Sequence, residues 1–79
     1  MRVAIIGQGY VGLTIAVGAA SAGHKVIGLD VNDVLVSKLN AGKSHIEGVS
    51  DDELSRFIAS GTYLATSDPA ALGGSDVIV

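Results

Sequence analysis

Gly7, Gly9 and Gly12 stand at G-x-G-x-x-G spacing directly behind the apolar run Val3-Ala4-Ile5-Ile6, and Asp30 follows 18 residues after Gly12. Glycines at that spacing, where a buried strand turns into a helix, can hold a pyrophosphate. Gly7 permits the tight turn, Gly9 lets the backbone come up against the phosphates, and Gly12 lets the helix sit close on the sheet. The free N–H groups of the helix's first turn, together with its dipole, then face negative charge. This reading gives Gly7, Gln8, Gly9, Tyr10, Val11 and Gly12 to the pyrophosphate and the adjoining ribose. Asp30, near the spacing of about 20 expected for a ribose ligand, would accept hydrogen bonds from the adenosine hydroxyls. Its charge would repel a 2′-phosphate, so the expected cofactor is NAD and not NADP. Two blander uses of Asp30 stay open: a solvated acid at a strand end, or an N-cap for the next helix.

No other residue type makes a comparable case. His24 follows the helix-ending Gly23 and reads as a surface residue near a helix C-terminus. His45 lies in a polar connection with no cysteine and no second histidine at ligand spacing, so no metal site is expected. Tyr10 could shape the cofactor's approach or simply pack on the following loop. The acids Asp51-Asp52-Glu53 are accounted for by a helix dipole and a cap. Nothing pairs a nucleophile with a base, so no catalytic residue is assigned.

The elements that must position this turn follow from the apolar pattern. Residues 2–6 read as a fully buried strand, continuous and not alternating, as a parallel sheet covered on both faces requires. A helix from about Tyr10 to Ala22 carries the small stripe Gly12, Ala16, Ala19 and Ala20, and Gly23 stops it. Residues 25–29 form a second strand, with Asp30 at its carboxyl end. Asn32 caps a helix reaching about Leu39 or Asn40, with Val34, Leu35 and Leu39 as its apolar positions. Ser50-Asp51-Asp52-Glu53 is a capping box for a helix with Leu54, Phe57 and Ile58 on one face, ending at Gly61. Residues 62–65 make a third strand, Asp68 and Pro69 open a brief helix, and Asp76-Val77-Ile78-Val79 starts a fourth strand. Right-handed crossovers place these strands 3-2-1-4: an α/β, Rossmann-type doubly wound parallel sheet, first half only. A chain that stops inside a strand is expected to be the truncated N-terminal part, residues 1–79, of a longer NAD-binding domain.

Composition narrows the class. The 79 residues are 48% hydrophobic and 16% charged, as in a globular domain too short to bury more than about 60–65% of its unfolded surface. The net charge of −3, with Lys and Arg scattered, argues against a nucleic-acid partner. No stretch approaches the ~20 apolar residues of a membrane span, and the N-terminus lacks the pattern of a signal peptide. The absence of cysteine fits a reducing compartment, and a cytoplasmic location is expected.

The run Gly7–Leu13, G-Q-G-Y-V-G-L, closely resembles the opening of the UDP-glucose/GDP-mannose dehydrogenase family, as do Gly23-His24, Gly28-Leu29-Asp30-Val31-Asn32 and Ala65-Thr66-Ser67-Asp68. The resemblance covers essentially the whole chain. It implies NAD-dependent, four-electron oxidation of a nucleotide sugar's C6 hydroxyl to a carboxylate through a cysteine-bound thiohemiacetal and thioester. It also implies a C-terminal domain for the UDP-sugar and a homodimer held by a long helix. By match to the family, Gly7, Gly9, Tyr10, Val11 and Gly12 are the pyrophosphate turn and Asp30 the ribose ligand. Leu35 stands where many members carry Arg or Lys toward the adenosine, so that contact is not carried over. His45-Ile46 looks more like the branch that oxidises UDP-N-acetyl-hexosamines than like the UDP-glucose enzymes. The family's cysteine and lysine would lie beyond Val79, and the chain alone is expected to be inactive. Two other readings remain: another hydroxy-acid or hydroxyacyl dehydrogenase, and a non-catalytic nucleotide-sensing module.

Overall fold

In the computed structural model, which describes residues 1–79, the strands are β1 (Arg2–Ile6), β2 (Lys25–Leu29), β3 (Tyr63–Thr66) and β4 (Val77–Ile78). They form one parallel sheet in the order β3-β2-β1-β4. The helices are α1 (Tyr10–Ser21), α2 (Asp33–Asn40) and α3 (Asp51–Ala59), and a 3-10 turn covers Pro69–Leu72. Registers align Val3 with Val26 and Val26 with Tyr63, and align Ile5 with Gly28 and Gly28 with Ala65. Those two rows face the helices. Ile5, Val26, Tyr63 and Ala65 join Leu13, Ala16, Val17 and Ala20 of α1, Leu39 of α2 and Leu54 of α3 in one buried core.

All three helices cover the same face of the sheet, and within residues 1–79 the other face of β1 buries Ala4 but leaves its carboxyl end in the open. Ile6 is 56% exposed, and on the same open face Leu64 and Ile78 are about half exposed. Val34 also departs from expectation. It points into solvent, and the buried side of α2 is Leu35, Val36 and Leu39.

Caps set the helix boundaries. Asn32 Oδ1 accepts from the Leu35 N–H at 3.1 Å, and Asp68 Oδ1 from the Ala70 N–H at 3.0 Å. The expected capping box is only half closed: Ser50 Oγ accepts from the Glu53 N–H at 3.1 Å, and the Glu53 carboxylate returns no bond. Strand ends shift by a residue. β3 runs Tyr63–Thr66, and β4 is regular only over Val77–Ile78. Val79 still prolongs that pairing, donating to Ala4 O and accepting from the Ile6 N–H.

β3 is an edge strand, and one side chain covers its free rim. Asn40 Nδ2 donates to Ala65 O at 2.8 Å while the Ala65 N–H donates to Asn40 Oδ1 at 2.9 Å. The amide thus takes the place of a neighbouring strand, which blunts an edge that would otherwise template pairing.

Candidate functional site

The three motif glycines are bare for three different reasons. Gly7 has φ +85°, a backbone conformation that side chains disfavour, and its N–H donates to Leu29 O at 2.7 Å, tying the turn to the end of β2. A Cβ on Gly12 would overlap the Gly7 carbonyl, so α1 rests on the turn's own first peptide. The close approach is therefore to the turn, not to the sheet as the motif suggests. Gly9 is the N-cap of α1 with an ordinary extended backbone (φ −70°, ψ −161°), and a Cβ there would meet nothing within 4 Å. Neither the fold nor the local packing demands glycine at this position; an incoming ligand would.

What Gly9 leaves open is a row of donors. The first helical bond of α1 is Leu13 N–H to Gly9 O, and the N–H groups of Gly9, Tyr10, Val11 and Gly12 have no partner in the protein. No side chain caps the helix and no acid lies in its first turn. Unfilled amides at the positive end of a helix dipole suit an anion. The Tyr10 and Val11 side chains, each about two-thirds exposed, flank this opening.

Asp30 sits beside the turn and is bound to it. Its Oδ2 accepts the Gln8 backbone N–H at 2.8 Å, and its Oδ1 accepts the Asn32 N–H at 3.0 Å. The Gln8 amide, then the Asn32 amide, hold the carboxyl below its ordinary value of 3.8; the His45 charge and the Val31 amide help, and partial desolvation opposes them. The group is therefore ionised at neutral pH. An ionised carboxylate offers about four acceptor positions, so two protein donors leave room for two ribose hydroxyls. Ile6, Gly7, Leu29, Asp30 and Val31 line a cleft of about 270 Å³ at the carboxyl ends of β1 and β2. Ligands of open parallel sheets bind at that end of the strands.

Gln8 departs from the role of a pyrophosphate contact. Its N–H is engaged by Asp30, and its side chain is fully buried. Tyr63, to which that side chain is bonded, and Asn40 were not singled out in the sequence. Gly28 was the available signal, since a glycine inside a strand marks a close approach by another group. No group of three or more His, Cys, Asp or Glu side chains comes together, and no helix is long and apolar enough to cross a membrane.

Comparison with known proteins agrees with this geometry. The NAD binding domain of the UDP-glucose/GDP-mannose dehydrogenase family matches residues 1–79. The UDP-N-acetyl-D-mannosamine dehydrogenase of Pyrococcus horikoshii is 36% identical over 80 residues, spanning 100% of this chain and 19% of its own length. The solved structure of a UDP-D-ManNAc dehydrogenase from that organism superposes with a TM-score of 0.92 at 37% identity, over 99% of this chain and 19% of that one. A ternary complex of GDP-mannose dehydrogenase from Pseudomonas aeruginosa gives 0.90 at 38% identity, over 99% of this chain and 18% of that one. The chain therefore spans about a fifth of the proteins it matches. With its parallel 3-2-1-4 sheet, bare Gly9 and anchored Asp30, it belongs to the UDP-glucose/GDP-mannose dehydrogenase family as an NAD-binding domain.

Proposed function

We propose that residues 1–79 supply the adenosine-diphosphate side of the NAD site in a longer, cytoplasmic and homodimeric nucleotide-sugar 6-dehydrogenase. One observation carries the reading. The unpartnered amides of Gly9–Gly12 and the ionised Asp30 carboxylate are joined by a single hydrogen bond through Gln8, so phosphate donors and ribose acceptor lie side by side in one connected turn. The Gly9–Gly12 amides take the pyrophosphate oxygens, with the helix dipole behind them. Asp30 takes the two hydroxyls of the adenosine ribose and rejects a 2′-phosphate by charge. When held by these residues, NAD would supply the hydride acceptor for oxidation of the sugar's C6 hydroxyl. Catalytic groups and most of the nucleotide-sugar site belong to the remainder of the protein. Among sugars, a UDP-N-acetyl-hexosamine is favoured by His45-Ile46 and by the likeness to UDP-N-acetyl-D-mannosamine dehydrogenases.

The test is NADH formation by the full-length protein with UDP-N-acetylmannosamine, UDP-N-acetylglucosamine, UDP-glucose and GDP-mannose. Two NADH should form per sugar oxidised to the uronate. No NADH with any of them, or a requirement for NADP, would overturn the assignment.

A further inference from the structure

Between half-exposed Gly7 and exposed Gly9, the Gln8 side chain turns inward and is fully buried. Both of its donors, and one of the two acceptor positions on its oxygen, are engaged there. Nε2 donates to Gly7 O at 2.8 Å and to Ile5 O at 3.2 Å, and Oε1 accepts from the Tyr63 hydroxyl at 2.7 Å. An amide with two N–H donors and one carbonyl oxygen, so engaged, has no donor left for a ligand. Tyr63 is equally buried and lies on β3, with β2 between it and the turn. The bond crosses β2 at Gly28, where a Cβ would overlap the Gln8 amide and the Tyr63 hydroxyl. Burial, and the negative charge of Asp30, keep that hydroxyl protonated and therefore a donor.

The backbone of the same residue holds the ribose acid, Gln8 N–H to Asp30 Oδ2. One residue thus fastens the turn to the far strand through its side chain and to Asp30 through its main chain. Stability alone gives little reason for such a pair, since replacing both partners of a buried hydrogen bond with apolar groups is often neutral.

We propose that Gln8 and Tyr63 are positioning residues for the dinucleotide. Their bond beneath the glycine turn fixes the Gly9–Gly12 amides relative to the Asp30 carboxylate, so that pyrophosphate and ribose are engaged together. This rests on the NAD site proposed above.

The experiment compares the full-length wild type with Tyr63→Phe, Gln8→Met and the Gln8→Met/Tyr63→Phe double variant. NAD+ affinity is measured by calorimetry, and the urea midpoint is measured in parallel. Each variant should lose affinity about tenfold, the scale of one lost hydrogen bond. Tyr63→Phe should also lower the urea midpoint, because it leaves Gln8 Oε1 buried and unpaired. The double variant, which has no unpaired Gln8 Oε1 but still lacks the Nε2 bonds to Gly7 O and Ile5 O, should recover part of the midpoint and none of the affinity. Affinity that returns together with stability, or that never falls, would reduce the pair to core packing and overturn the inference alone. A wild type that binds no NAD+ overturns the cofactor site and this inference with it.

Discussion

Replacing Gly9 with valine puts a branched side chain where the structure leaves open space, and so separates binding from folding. The Gly9 backbone, φ −70° and ψ −161°, suits any residue, and nothing lies within 4 Å of the added Cβ. Loss of unfolded-state freedom favours the variant by about 0.4–1 kcal/mol, as for other glycine replacements at unstrained positions. The weaker N-cap opposes it by a similar amount, so the net change in stability should stay under about 1 kcal/mol. Binding should respond differently. The isopropyl group stands over the free amides at the start of α1 and denies them to the pyrophosphate. Two charge-assisted hydrogen bonds at about 1.5–3 kcal/mol each amount to roughly 3–6 kcal/mol, a hundredfold to ten-thousandfold loss of affinity. Calorimetric titration of the full-length variant with NAD+, beside thermal unfolding, reads both quantities. Wild-type affinity would mean that the amides do not hold the phosphates. A large loss of stability would mean that the fold itself requires Gly9.

Two further outcomes follow from single side chains. Asp30 titrates below 3.8 when folded, so its contribution is complete above that unfolded value and disappears as pH falls through the lower folded one. The stability gap between wild type and Asp30→Asn, from thermal unfolding, should be constant from neutral pH to about pH 5 and close below pH 4; a gap that widens in acid would contradict the hydrogen bonds to Gln8 and Asn32. Asn40→Ala removes both bonds to the Ala65 backbone and bares the β3 edge, which should cost about 1–3 kcal/mol in urea unfolding. A cost under about 0.5 kcal/mol, ordinary for a surface change, would show that the edge needs no cover.

What could be read from the sequence was local. Gly7, Gly9, Gly12 and Asp30 declare themselves by spacing, and Asn32, Ser50 and Asp68 declare helix starts by the bonds they make two or three residues ahead. Strand order followed because right-handed crossovers leave few arrangements for four parallel strands. The rest depends on partners remote in the chain. Gln8 meets Tyr63 across 55 positions and Asn40 meets Ala65 across 25, distances over which no spacing rule operates. Which face of the sheet the helices cover is likewise a matter of topology: α1, α2 and α3 all lie on one side of it. Val34 failed more simply, since a short helix with three consecutive apolar residues, Val34-Leu35-Val36, does not declare its buried side by periodicity.

Parallel titrations of full-length wild type and Asp30→Ala with NAD+ and NADP+ test the site most directly. The wild type should prefer NAD+. Asp30→Ala should weaken NAD+ binding by about 1–3 kcal/mol, the cost of leaving the ribose hydroxyls without their acceptor, and should narrow the preference over NADP+. A wild type that binds NADP+ as tightly as NAD+, or NAD+ affinity unchanged by Asp30→Ala, would contradict the assignment of this carboxylate to the adenosine ribose.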